Sequence, residues 1–237
     1  MNAVVDIGNT LTKLGKIHEG NRIEVISGSS VSNILEINSE IRFDYLLVSS
    51  VRQNDQDLES LQTIATNVLK LDQNTALPFH SHYKTPETLG PDRLAGIAGS
   101  QLIFPKQNNL VIDCGTCITY DFLSSNSDYL GGGISPGMTM KFKALKEFTS
   151  KLPLVELDQI SDLNGLSTKE CINSGVLWGT VAEIQGIINR YQTKFGEMNV
   201  LLTGGDATYF ESKINTPIFV RSNLVLEGLK GILEFNK

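Results

Sequence analysis

Two short segments place the same residue types in the same order. Asp6-Ile7-Gly8-Asn9-Thr10 follows Val4-Val5, and Asp113-Cys114-Gly115-Thr116 follows Val111-Ile112. An apolar strand that ends in Asp and turns through Gly into Thr suits a polyphosphate. The Gly lets backbone N–H groups approach an anion with no Cβ in the way. The strand-end Asp can hold a cation, directly or through water, that offsets phosphate charge. The Thr hydroxyl adds a neutral donor. One such segment alone is also what an ordinary hairpin with a turn Asp looks like. Two copies, with a third Gly-rich turn at Thr203-Gly204-Gly205, point to phosphate binding. No Gly-x-x-x-x-Gly-Lys-Ser/Thr loop is present, so a nucleotide fold other than the P-loop is implied.

Gly90-Pro91-Asp92-Arg93 is a second constellation. An Asp at the mouth of a helix beside an Arg can act as general base or substrate-positioning pair for a hydroxyl nucleophile. Phosphoryl transfer asks mainly for alignment and charge neutralisation, with such a carboxylate accepting the hydroxyl proton. A helix-capping Asp92 with an exposed Arg93 is the alternative that these four residues leave open.

The elements that must position these groups follow from periodicity. Each Asp-x-Gly segment runs into an alternating stretch, Leu11–Ile17 and Cys117–Phe122, and each pair reads as a β-hairpin. Their offset of about half the chain suggests a duplicated unit. Further strands are expected at 22–27, 45–49, 109–113, 128–134, 199–202 and 218–220. Helices are expected at 31–41, 56–70, 92–104, 138–148, 169–194 and 224–235. In the longest, Leu177, Val181, Ile184, Ile188 and Tyr191 form one apolar stripe. Pro91 just inside a helix start, with Asp92 beside it, suits that end sterically and electrostatically. Strands and helices without a low-complexity linker give an α/β protein of two joined lobes, drawn here as residues 1–107 and 108–237.

Composition narrows the function classes. The net charge is −6 and no clustered basic run occurs, so nucleic acid is not expected as a partner. No basic leader with a long apolar stretch opens the sequence, and no apolar run is long enough to span a bilayer. Three cysteines, an odd number, argue against a disulfide scaffold and for a reducing, cytoplasmic compartment. Cys114-Gly115-Thr116-Cys117 lacks the following helix of a redox motif and the four ligands of a structural zinc site. His80-x-His82 reads as an exposed strand end. Asp158, Asp162 and Asn164 begin like a calcium loop, but the closing glutamate is missing.

Taken in order, Asp6-Ile7-Gly8-Asn9-Thr10, Gly90–Arg93, Asp113–Thr116, Gly131-Gly132-Gly133-Ile134-Ser135-Pro136-Gly137, Thr203–Gly205 and Asn223–Leu229 resemble the type III pantothenate kinases, from residue 2 to about residue 230. The resemblance implies two ribonuclease-H-like lobes of mixed sheet plus helices, the actin-like ATPase fold. It also implies a homodimer that turns ATP and pantothenate into 4′-phosphopantothenate, the entry to coenzyme A. By the same resemblance Asp6, Ile7, Gly8, Asn9, Thr10, Leu11, Thr12 and Lys13 surround the ATP phosphates, with Asp6 near a divalent cation such as Mg2+. Asp92 is the base. Tyr83, Gly90, Pro91, Asp92, Arg93 and Thr168 contact pantothenate, Thr168 from across the dimer. Asp113 holds a monovalent cation, K+ or NH4+, and Thr116 touches ATP. Two positions depart from the family pattern: Pro91, where a small or aliphatic residue is common, and Cys117, where Ala is usual. Neither removes a functional group. Another acceptor, or a regulator without catalysis, are the competing readings; the retained Asp6, Asp92, Arg93, Asp113 and Thr116 favour the kinase.

Overall fold

Alternating apolar residues around a Gly turn fold the first segment as the expected hairpin, β1 (Asn2–Ile7) against β2 (Thr12–Ile17). The computed structural model describes residues 1–38, 40–52, 55–157 and 162–237, so the expected calcium-like start at Asp158 lies outside the described residues. Antiparallel β3 (Ile23–Gly28) extends the sheet beyond β2. On the other side of β1, β4 (Phe43–Ser50) and β5 (Ala65–Lys70) add in parallel. The order is β3-β2-β1-β4-β5. Parallel neighbours need crossovers. Helices α1 (Val31–Ile37) and α2 (Asp55–Leu61) occur in these connections. Val5, Ile7, Leu14, Ile34, Phe43, Leu46, Val48 and Leu61 make the core of this sheet. Because side chains alternate along a strand, burying Val5 and Ile7 on one face turns Asp6 to the other.

One expected element is corrected here. Residues 56–70 are not one helix: α2 stops at Leu61, and 65–70 become the edge strand β5, with Tyr45 opposite Asn67 and Leu47 opposite Leu69. A bond from the Phe43 amide to the Ile64 carbonyl (2.7 Å) starts the pairing. Sheet hydrogen bonding and burial of Ala65 outweigh local helix preference in this segment.

A second sheet repeats the plan. β7 (Asn109–Cys114) adjoins β8 (Cys117–Leu123), then β9 (Asp128–Pro136). On its other side lie parallel β10 (Asn199–Thr203) and β11 (Phe219–Val220). The order β9-β8-β7-β10-β11 matches β3-β2-β1-β4-β5, strand for strand, and a short β6 (His80–Ser81) pairs with β9. This is the duplication the two Asp-x-Gly segments suggested.

Helices α3 (Pro91–Ile103), α4 (Met138–Glu147), α5 (Thr168–Phe195), α6 (Ala207–Glu211) and α7 (Leu224–Phe235) complete the chain. Two compact units result, one of residues 1–107, 121–131 and 223–237, the other of 108–120 and 132–222. The C-terminal helix α7 thus belongs with the N-terminal segment, whereas a contiguous division at 107/108 assigns it to the second lobe. The reason is its packing. Leu224, Leu229, Ile232 and Leu233 are fully buried. The α3 and α7 backbones approach so closely that a methyl group on Gly228 would strike the Ala95 carbonyl. Among the described residues no helix is long and apolar enough to cross a membrane.

Candidate active site

In the first unit, strand register sets Asp6. It stands opposite Lys13 on β2 and Ser49 on β4. The buried Ser49 hydroxyl donates to Asp6 Oδ1 at 3.2 Å. Burial, and then the Asp92 carboxylate, push the Asp6 pKa up to about 6; the Ser49 bond and Lys13 only partly oppose this. The loop after Asp6 closes with the Gly8 amide on the Leu11 carbonyl at 3.0 Å. Arg52 Nη2 donates to the Asn9 carbonyl at 3.0 Å. Asn9, Thr10 and Leu11 are exposed at the tip, and Asp6, Gly8 and Lys13 are half-buried. Ile7 and Thr12 are fully buried. The expected ATP-binding run therefore has two side chains turned into the protein, and the Thr12 hydroxyl has no hydrogen-bond partner among the described residues.

The same unit carries Gly90 to Arg93 at the start of α3, with Gly90 at the N-cap and Pro91 in the first turn. Asp92 Oδ1 accepts from the Arg93 amide at 2.9 Å, which fixes the carboxylate against the helix mouth. Burial raises the Asp92 pKa; the Arg93 amide bond lowers it, Asp121 adds to the rise, and the Arg93 charge opposes it. Arg93 is not the exposed residue of the capping alternative. It is 8% exposed and forks onto Asp121. Burial by itself disfavours its charge, but the Asp121 bonds outweigh that and hold it ionised. Its guanidinium lies 5.7 Å from the Tyr83 ring centre, so Tyr83 joins the Gly90–Arg93 turn.

In the second unit Asp113 is the next-to-last residue of β7, opposite Thr203 on β10. Gly204 has φ of +90°, and a Cβ there would collide with Asp113 Oδ1 and the Cys114 carbonyl, so the position requires glycine. The Asp206 amide donates to the Cys114 carbonyl at 2.9 Å. Thr116 is exposed at the β7–β8 turn, and its carbonyl accepts from the Gly137 amide at 3.1 Å, tying the Gly131–Gly137 segment to the second Asp-x-Gly turn. Cys114 is buried, and burial, then Asp113, push its thiol far up, which keeps Cys114 a neutral thiol.

Thr168 opens α5, capped by the Ser167 hydroxyl, which accepts from the Glu170 amide at 3.3 Å. It is exposed on an open cleft of about 1100 Å³ bounded by α4 and the start of α5, with Leu145, Phe148, Leu166, Ile172 and Val176 as its apolar walls. Lys141 bridges α4 to α5 through Glu183 (2.7 Å) and Thr180 (2.9 Å).

The donor chemistry fits hard cations. Burial and the charge of Asp92 together raise the cost of ionising Asp6, a cost that a divalent cation relieves. No cluster of three or more His, Cys, Asp or Glu suited to a metal occurs among the described residues. A divalent ion here would draw on phosphate oxygens as well, the usual habit of Mg2+. In the other unit, Asp113 Oδ1 and the Cys114 carbonyl both lie against Gly204.

Sequence reasoning missed Ser49, Arg52, Asp121 and Tyr129. Asp121 carried a signal, a charge inside the apolar alternation Ile118-x-Tyr120-x-Phe122. Ser49 carried none beyond ending an apolar strand.

Two sheets of one topology, each with an Asp at the end of its central strand, are the framework of the actin-like ATPases and sugar kinases. Solved structures agree on the fold. A conserved protein of Campylobacter jejuni assigned to the Baf family of transcriptional activators superposes with a TM-score of 0.67 at 20% identity, covering 99% of this chain and 98% of that one. A glucokinase from an Antarctic psychrotroph gives 0.51 at 12% identity, covering 99% and 98%. Sequence relatives are nearer. The type III pantothenate kinase of Cytophaga hutchinsonii is 43% identical over 236 residues, covering all of both chains. That of Christiangramia forsetii is 41% identical over 243 residues, covering 100% of this chain and 99% of that one. The sequence model of the type III pantothenate kinase family matches residues 3–190. The chain belongs to the type III pantothenate kinases.

Proposed function

We propose that this protein transfers the γ-phosphoryl group of ATP to the primary hydroxyl of pantothenate, giving 4′-phosphopantothenate for coenzyme A synthesis. The observation that carries the chemistry is the pairing in one unit of a strand-end carboxylate, Asp6, with a helix-mouth carboxylate, Asp92, close enough for its charge to disfavour that of Asp6. Asp92 is the general base. Burial raises its pKa above the ordinary carboxylate value, which makes it a stronger proton acceptor. Its rotamer is set by the Arg93 amide. A divalent cation bound with ATP would be held by Asp6 and would supply charge neutralisation of the phosphates. The exposed tip Asn9–Leu11 would meet those phosphates, and Lys13 flanks it. Tyr83, Gly90, Pro91 and Arg93 orient the alcohol. Asp113 holds a monovalent cation, K+ or NH4+, and Thr116 contacts ATP.

The working form is a homodimer. Thr168 stands on a cleft whose rim includes Phe148, 85% exposed, and Leu166, 95% exposed. Such a patch suits burial against a second copy, and Thr168 would then complete the partner's pantothenate pocket. The free cysteines fit a cytoplasmic enzyme.

The test is a coupled ADP-release assay with ATP, magnesium and pantothenate, in potassium and again in sodium. Pantothenate-dependent turnover that rises in potassium is expected. A folded protein silent in both salts overturns the reading.

A further inference from the structure

Asp121 lies within β8, 1% exposed, between the buried Tyr120 and Phe122. A carboxylate in such a place is costly unless its oxygens are hydrogen-bonded. They are. Arg93 Nε donates to both oxygens at 3.0 and 3.1 Å, and Nη2 to Oδ1 at 2.7 Å. The Tyr129 hydroxyl donates to Oδ1 at 2.6 Å. The Tyr129 ring in turn stacks on Tyr83, with centres 6.3 Å apart and planes 10° apart, and meets Phe79 edge-on at 6.1 Å. Tyr83 also faces the Arg93 guanidinium.

Two side chains assigned to the alcohol substrate, Tyr83 and Arg93, are thus fixed by one buried carboxylate, one directly and one through Tyr129. Arg93 also continues into Asp92, whose Oδ1 its amide holds. Fold stability alone does not call for this arrangement, since apolar residues of similar volume often stabilise a core as well as a buried ion pair does. What the ion pair adds is direction: a planar guanidinium bonded along one edge has a single orientation.

We propose that Asp121, seconded by Tyr129, is a positioning residue for the acceptor pocket, setting where Arg93 and Tyr83 meet the alcohol substrate and steadying the turn that carries Asp92. The proposal rests on the pantothenate kinase reading above.

The experiment is steady-state kinetics of the full chain and of D121N, varying pantothenate and ATP separately, with melting temperatures alongside. Asn keeps the shape and loses the charge. The pantothenate KM should rise about 10-fold, the scale of one lost charge-assisted hydrogen bond, while the ATP KM changes less than about twofold. R93K and the R93K/D121N double variant should be equally impaired, because the two residues act as one unit. A lower melting temperature with an unchanged pantothenate KM, or equal rises in both KM values, overturns the proposal. Should D121N fail to fold, Y129F decides. It keeps the ring stack and removes one hydroxyl, and a pantothenate KM raised about threefold is expected for one neutral hydrogen bond. An unchanged value in folded Y129F overturns the proposal. Wild-type protein silent towards pantothenate removes the kinase reading and this inference with it, whereas active wild type with unaltered variants removes this inference alone.

Discussion

Replacing Asp6 by Asn should stabilise the unliganded protein while abolishing its turnover. An ordinary Asp titrates near 3.8, but burial and the facing Asp92 lift Asp6 to about 6. The folded chain therefore holds this proton more tightly than the unfolded chain does. The associated stability is fully present below the ordinary value and is lost as pH rises through about 6. Each pH unit of that gap corresponds to about 1.4 kcal/mol. Ionised Asp6 thus costs the fold roughly 2–3 kcal/mol at neutral pH, the lower figure allowing for the part of the carboxylate that water reaches. Asn keeps an oxygen for the Ser49 hydroxyl and carries no charge. For a chain of this size the gain corresponds to a melting temperature about 5–10 °C higher. The assay is thermal unfolding of both proteins in EDTA, at pH 4.5 and 7.5. The difference should be large at pH 7.5 and fall to about a third of that at pH 4.5. Added magnesium and ATP should narrow it by stabilising the wild type. Equal melting temperatures at pH 7.5, or a difference that ignores pH, would refute the argument that Asp6 is held under electrostatic strain.

Three further outcomes follow from the same geometry. D92N should lose about 100-fold or more in turnover, as for removal of a general base, with no loss of melting temperature, because burial already opposes the Asp92 charge; undiminished turnover removes its assigned role. D113A should abolish stimulation by potassium over sodium, and unchanged stimulation would place the monovalent cation elsewhere. G228A forces a methyl group onto the Ala95 carbonyl and should destabilise by about 1–3 kcal/mol or more through overpacking at the α3–α7 crossing; an unaltered melting temperature would contradict that close approach.

Much of the fold was legible because its signals are local. Period-two alternation found both hairpins, the stripe from Leu177 to Ile188 found α5, and Pro91 with Asp92 marked the start of α3. Residues 65–70 were misjudged because their strand character comes from pairing with β4. Local preference says little about an edge strand whose partner lies some twenty residues earlier. The assignment of α7 to the first unit was equally out of reach, since helix packing partners are set by surfaces and not by chain order.

The chemistry divides in the same way. The sequence by itself determined the residue types: two Asp-x-Gly turns, the Gly90–Arg93 turn and the family these spell in order. Such groups are recognisable alone because backbone freedom at glycine and charge at a strand end are local properties. Tertiary structure decided how those groups are held. It turned Ile7 and Thr12 inward, set Ser49 beside Asp6, brought Asp92 near enough to lift the Asp6 pKa, and buried Arg93 on Asp121. These are contacts between residues about 30 to 90 positions apart in sequence. Their energies depend on burial and on distances of a few ångströms, quantities that exist only once the chain has folded.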